Sequence, residues 1–323
     1  MRLFNRIPRR SLFMLGLAVL PSLFFNSCAG TSRSGKEAMS VNGASSIVVD
    51  LFSKKIHQQT AAHSRRPIGG LTKIATALVA LNWSSTNPGS LAQSVTITPE
   101  DNAGTSNNPV GLQAGDTLSL RDLLSAAVMA SDDTAANAIA EHVGKQLGGG
   151  TDRFVGEMKT LASSLGMTKT HFANPFGSDH CTSTAADLAR LAIKASTNPA
   201  FRFYCHQHER SIPVTRNGVV EQIKITNTNQ LLGVDGIDSL AASESGVIVS
   251  AEQKPTTAPD GKGNQLLYRH RLITVVLDGS DKFAIARELL KQGWDVYFAW
   301  LQAGRPVQKQ EELLNVQLAS KQQ

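Results

Sequence analysis

Arg66-Pro67-Ile68-Gly69-Gly70-Leu71-Thr72-Lys73 leads into an apolar repeat. Ile74, Ala77, Leu78 and Leu81 follow at spacings of three and four, which predicts a helix starting near Gly70, after the proline. Residues three apart on a helix share a face, so position 70 lies one turn from the Lys73 amine. Gly70 itself offers no side chain.

Outward from this segment, Ser46-Ile47-Val48-Val49-Asp50 and the polar Lys54-Lys55 predict a hairpin. Downstream, helices are expected over 120–128 (with Ser119 as cap), over 134–143, 152–165 and 184–196, the last broken by Asn198-Pro199. The second half turns to β-type runs at Ile223–Ile225, Val247–Ala251 and Leu272–Leu277. A final helix, Phe283–Gln292, should end at Gly293. Helices flanked by strands from both ends of the chain indicate an α+β fold built on an antiparallel sheet. With 41% hydrophobic residues the chain can bury a real core, so disorder throughout is excluded.

The N-terminus reads as an export signal. Arg2, Arg6, Arg9 and Arg10 precede an apolar run from Leu12 to Phe25, short for a membrane span and suited to a secretory h-region. Arg9-Arg10 fits a twin-arginine pattern loosely and a general secretory signal equally well. Ser27-Cys28 after the run resembles a lipidation site, which would anchor the protein to a membrane through Cys28; a soluble periplasmic product and an uncleaved anchor are the other readings. Residues 29–45, rich in Ser, Gly and Ala, read as a tether, residues 46–300 as the domain, and 301–323 as a polar tail. The four leader arginines supply most of the net charge of +6, and no basic cluster interleaved with aromatics remains to bind nucleic acid. Export leaves Cys181 and Cys205 open to a disulfide. Separate burial is the plainer reading, and a metal set with the adjacent His180, His206 and His208 a third.

Several collinear segments resemble the penicillin-binding D-alanyl-D-alanine carboxypeptidases, the peptidase S11 group. Residues 66–73 resemble that family's R-x-P-x-A-S-L-T-K. Ser131-Asp132-Asp133-Thr134-Ala135-Ala136-Asn137 resembles S-x-N-D-A-A-N, and Leu165-Gly166-Met167 with His171-Phe172-Ala173-Asn174-Pro175 resembles L-G-M…H-F-x-N-P. Ser183-Thr184-Ala185-Ala186-Asp187-Leu188-Ala189 resembles S-T-A-x-D-L-A, and Asn227-Thr228-Asn229 with Gly233-Val234-Asp235-Gly236-Ile237 resembles the approach to the K-T-G strand. The resemblance covers roughly residues 46–297. It implies a penicillin-binding-protein or serine β-lactamase-like transpeptidase fold, an antiparallel sheet with helical regions on both sides and strand 247–251 beside a groove. It implies no cofactor, and a peptidoglycan peptide or a cell-wall enzyme as partner.

The resemblance also implies where the chemistry should be, and this chain departs from each motif. The nucleophile position is Gly70, the S-x-N asparagine position is Asp133, and the K-T-G position reads Asp238-Ser239-Leu240. The resemblance implies an S-x-x-K serine one helical turn before the lysine that activates it. No lysine here has a serine three residues before it, and Thr72, adjacent to Lys73, points elsewhere. Only Lys73 and Ser131 match catalytic residues. Asp133 and Asp238 facing one pocket would repel a substrate carboxylate. A like-charge pair about 4 Å apart at an effective dielectric near 20 costs on the order of 4 kcal/mol. The reading is a catalytically inactive family member acting in the envelope as a binding or regulatory module. The alternatives are an active D,D-peptidase by another route, or a pocket remade for a cation or amine by Asp133, Asp238 and Ser131. Plainer roles are a structural Lys73–Asp133 ion pair, a solvated Asp132, and Glu244 as an exposed loop acid.

Overall fold

The computed structural model describes residues 43–315, apart from Asp179 and 260–263. The leader, Cys28 and most of the 29–45 and 316–323 segments lie outside the described residues. In chain order the strands are β1 (Ser45–Asp50), β2 (Ile56–Thr60), β3 (Arg66–Pro67), β4 (Ser94–Thr96), β5 (Thr117–Ser119), β6 (Thr182–Ser183), β7 (Glu209–Arg216), β8 (Val219–Thr226), β9 (Ile237–Ser243), β10 (Gly246–Pro259) and β11 (Gln265–Leu277). The helices are α1 (Lys73–Ser85), α2 (Leu120–Met129), α3 (Asp133–Gln146), α4 (Gly150–Ser164), α5 (Ala185–Ser196), α6 (Pro199–Cys205) and α7 (Lys282–Gln302).

The main sheet has the order β2-β1-β11-β10-β9, with antiparallel pairing throughout. Its strands alternate between two cores. Ile47, Val49, Ile248, Ile273 and Val275 point to the larger core, which they share with α1, α2, α3 and α5. Val48, Val247, Val249, Leu272 and Val276 point to the other, against Ile285, Leu290, Trp294 and Tyr297 of α7. Burial on both faces explains why these strands read as unbroken apolar runs. A second sheet, β4-β5-β7-β8, and the short β3–β6 pair flank the helices.

Four expectations change. First, α7 does not end at Gly293 but runs on to Gln302. A Cβ on Gly293 would lie 2.8 Å from Val48 Cγ1, so the glycine serves close approach of helix to sheet and not termination. Second, Asn198-Pro199 ends α5 by starting α6: Asn198 Oδ1 accepts the Phe201 N–H and Pro199 sits at the first helical position. Third, β10 and β11 continue past their apolar halves as a long exposed hairpin. Fourth, β10 is inside the sheet, and β9 forms its edge. The chain beyond 300 also packs back: Leu313 pairs with Lys55 beside β2, Leu314 is buried, and Arg190 Nε donates to the Asn315 carbonyl at 2.7 Å.

Candidate functional site

Three elements meet at Gly70. The chain enters α1 through a 3₁₀ turn, Gly69–Thr72, whose first residue has φ +46°, a conformation open to glycine. The α2–α3 junction brings Ser131, itself left-handed at φ 59°. The two-residue turn between β9 and β10 brings Ser243, Glu244 and Ser245.

Lys73 is buried and its Nζ donates to Asp133 Oδ1 (2.6 Å), the Phe176 carbonyl (3.0 Å) and Ser131 Oγ (3.3 Å). An ammonium has three N–H donors, and these three acceptors match that count. Asp133 is satisfied from its other side, where Oδ2 accepts the N–H groups of Ser106 (3.1 Å) and Asn107 (3.0 Å). The expected structural ion pair is therefore present, and it is enclosed. Asp132 differs from its expected solvated role. It is fully buried as the N-cap of α3, accepting from Ala135 N–H at 2.8 Å and Val110 N–H at 3.1 Å.

No oxygen stands at position 70, and the space for one is taken. A Cβ on Gly70 would lie 2.6 Å from Ser131 Oγ, 3.1 Å from Ser243 Cβ and 3.2 Å from Lys73 Nζ. The Gly70 N–H donates to Glu244 Oε1 at 3.3 Å, and a side chain on Gly69 would overlap that carboxylate outright. Glu244 is exposed, as expected, but it is not an idle loop acid: it rests on the backbone at the head of the Lys73 helix.

The structure does not bring Asp238 to this site. Asp238 pairs across β9–β10 with Ser250, and its Oδ2 lies 3.0 Å from Arg271 Nη1 and 3.8 Å from His206 Nε2. Arg271 also pairs with Glu252. Ser239 and Leu240 are buried in the sheet. Five residues of strand, about 16 Å, separate Asp238 from Ser243 at the Gly70 end. The repulsion assigned to Asp238 and Asp133 in one pocket is thus withdrawn, as is a cation site shared by them with Ser131. The acid at the cleft is Glu244. Its role was missed because Glu-Ser carries no hairpin-turn signal, so nothing marked residues 244–245 as a tight turn.

The cysteines are both buried free thiols. Cys181 Sγ sits against Asn174 and the Ala173 N–H, while Cys205 closes the end of α6, where burial foremost and then Asp238 push its thiol pKa up. No disulfide joins them. Among the described residues no three His, Cys, Asp or Glu side chains are placed to share a metal ion.

Burial pushes the Asp132 carboxyl from 3.8 up to about 6, against the opposing pull of the Ala135 and Val110 N–H groups and of Lys73. Between those values the native state holds a proton that the unfolded chain has lost. Stability from this group is therefore fully present below about pH 4 and is lost as pH rises through about 6, on the order of 3 kcal/mol in all. Asp132→Asn is expected to remove that part of the slope. Urea midpoints of both proteins across the window test it, and parallel curves refute it.

These elements have the fold of the penicillin-binding DD-transpeptidases. A variant of a Streptomyces DD-transpeptidase superposes with a TM-score of 0.65 at 25% identity, over 78% of this chain and 97% of that one. A Listeria monocytogenes penicillin-binding protein in its cefotaxime-bound form gives 0.59 at 27% identity, over 79% and 96%. The family model described as D-alanyl-D-alanine carboxypeptidase, peptidase S11, matches residues 32–280, and the chain belongs to that family. A D-alanyl-D-alanine endopeptidase of Escherichia coli is 32% identical over 187 residues, 58% of this chain and 57% of that protein. The matches span about three fifths of the length of the curated relatives at the head of that comparison.

Proposed function

We propose that the protein is a non-hydrolytic member of the S11 family: an exported envelope protein that binds a peptidoglycan peptide or a cell-wall enzyme without cleaving it. The observation that carries this reading is the pairing of a missing nucleophile with a spent base. Gly70 has no side-chain oxygen, and the Lys73 amine that would activate one already meets three acceptors. Glu244 adds a third obstacle. In acyl transfer the nucleophile's own N–H is a natural donor to the developing oxyanion, and here that N–H is given to a carboxylate. Loss of the nucleophile alone typically costs a serine hydrolase roughly a million-fold in turnover. The export signal, and lipid on Cys28 as a membrane anchor, complete the reading; among the described residues no helix is long and apolar enough to cross a membrane.

One observation favours a second reading. Ser131 Oγ lies 3.3 Å from Lys73 Nζ, so an acyl group could in principle pass to Ser131. Intact-protein mass spectrometry of the mature protein, with and without a penicillin, separates the two. No adduct is expected, together with an acyl-chain mass increment on the N-terminal peptide carrying Cys28. A stoichiometric penicilloyl adduct mapped to Ser131 would overturn the non-hydrolytic reading and establish the second.

A further inference from the structure

The C-terminal end of α7, the turn after it, the end of β1 with the turn that follows, and Leu267–Arg269 of β11 line a half-open cavity of about 430 Å³, within the range of small-molecule sites. It is remote from Gly70. β11 passes the cavity at Tyr268 and reaches the Gly70 end of the sheet at Leu277, paired with Gly246, about 30 Å further on.

Four aromatic side chains, Phe52, Tyr268, Tyr297 and Trp300, and two cations, Arg269 and Arg305, line it. The rings are fixed in advance. Tyr297 Oη shares a 2.6 Å hydrogen bond with His270 Nδ1, and Trp300 Nε1–H donates to the Pro306 carbonyl at 2.8 Å. The guanidinium of Arg305 lies 4.1 Å over the Tyr268 ring and that of Arg269 lies 5.6 Å over Phe52. Arg269 is paired with Glu252, whereas no carboxylate among the described residues pairs with Arg305. The one acid in the lining, Asp50, is closed off: its oxygens accept from Phe52 N–H, Ser53 N–H and the Ser53 hydroxyl.

Helix α7 closes in a Schellman-type turn, with Gly304 N–H on the Leu301 carbonyl at 3.1 Å and Arg305 N–H on the Trp300 carbonyl at 3.0 Å. Gly304 and Arg305 are left-handed, at φ 82° and 61°. This turn carries Arg305, the cation without a paired carboxylate among the described residues, over the Tyr268 ring.

We propose that this cavity is a second ligand site, taking a small anion with a flat apolar body: an aromatic or amphipathic carboxylate, sulfonate or phosphate. The aromatic walls match the body and exclude saturated polar ligands. The unspent hydrogen-bonding capacity of the charged side chains belongs to guanidinium donors, so the head group must supply acceptors and negative charge.

Anilinonaphthalene sulfonate is a suitable probe, read by fluorescence titration of the folded protein. One saturating site is expected. Arg305→Gln should weaken it about tenfold or more, and the uncharged phenylnaphthylamine should bind the wild type weaker by a similar factor. Arg287→Gln, at an exposed pair with Asp235, should leave the titration unchanged. Thermal melting verifies that each variant is folded. Should Arg305→Gln fail that check, Tyr268→Leu, which removes the stacking partner, serves in its place. Equal affinity in the Arg305 and Tyr268 variants, equal affinity of charged and neutral probes, or no saturable binding would overturn the proposal.

Discussion

Gly70→Ser, made alone, is expected to leave the protein unlabelled by a penicillin and its peptidase turnover still roughly a million-fold below that of a serine-bearing relative. The reason is local and has three parts. The new Cβ would arrive 2.6 Å from Ser131 Oγ and 3.1 Å from Ser243 Cβ, so the hydroxyl cannot take a free rotamer without displacing both. Lys73 Nζ, 3.2 Å from that Cβ, is engaged by Asp133 and cannot take the serine proton while it remains so. The N–H of residue 70 points at Glu244. Gly70→Ser with Asp133→Asn and Glu244→Gly frees Lys73 and the residue-70 N–H and leaves only the crowding by Ser131 and Ser243 to relax, so it is where labelling should first be detectable. Mass spectrometry after incubation with penicillin decides it, and stoichiometric labelling of the single variant would falsify this account of the cleft.

The second large effect concerns stability. Lys73→Met should cost about 3–5 kcal/mol in urea unfolding, because it leaves the enclosed Asp133 carboxylate without its cation. Lys73→Met with Asp133→Asn should recover much of this. The amide oxygen can still accept from Ser106 and Asn107, and no buried charge remains. The double variant is therefore expected to be more stable than the sum of the single costs by well over about 0.5 kcal/mol. Additive costs, or a single cost under about 1 kcal/mol, would show that the pair is solvated and not structural. The result separates two uses of the same lysine. The structural use is the clamp of α1 to the head of α3; the catalytic use is the one the family resemblance implies.

The sequence and the tertiary structure divide this protein between them along physical lines. What repeats along the chain was readable: the 3.6-residue apolar spacing of α1, the Ser119 cap of α2, and the two-faced apolar runs of β10 and β11. Ordered motifs such as 131–137 and 183–189 were readable too. So was the absence at Gly70, since a missing side chain needs no neighbour to be noticed. Elements whose cause lies elsewhere in space were not. Gly293 looked like a helix end because only the closeness of Val48 explains it. The outer halves of β10 and β11 are held by backbone pairing, and the apolar Leu266 and Leu267 there are exposed and pack into neither core. The charge arrangement was the least legible of all. Motif order put Asp238 in the cleft, but strand register put it with Arg271 and delivered Glu244 to Gly70 instead. Sequence alone determined that position 70 carries no side chain. Only the folded structure decided which charge fills the gap, because electrostatic partners are set by distances of a few ångströms across strands that are far apart in the chain.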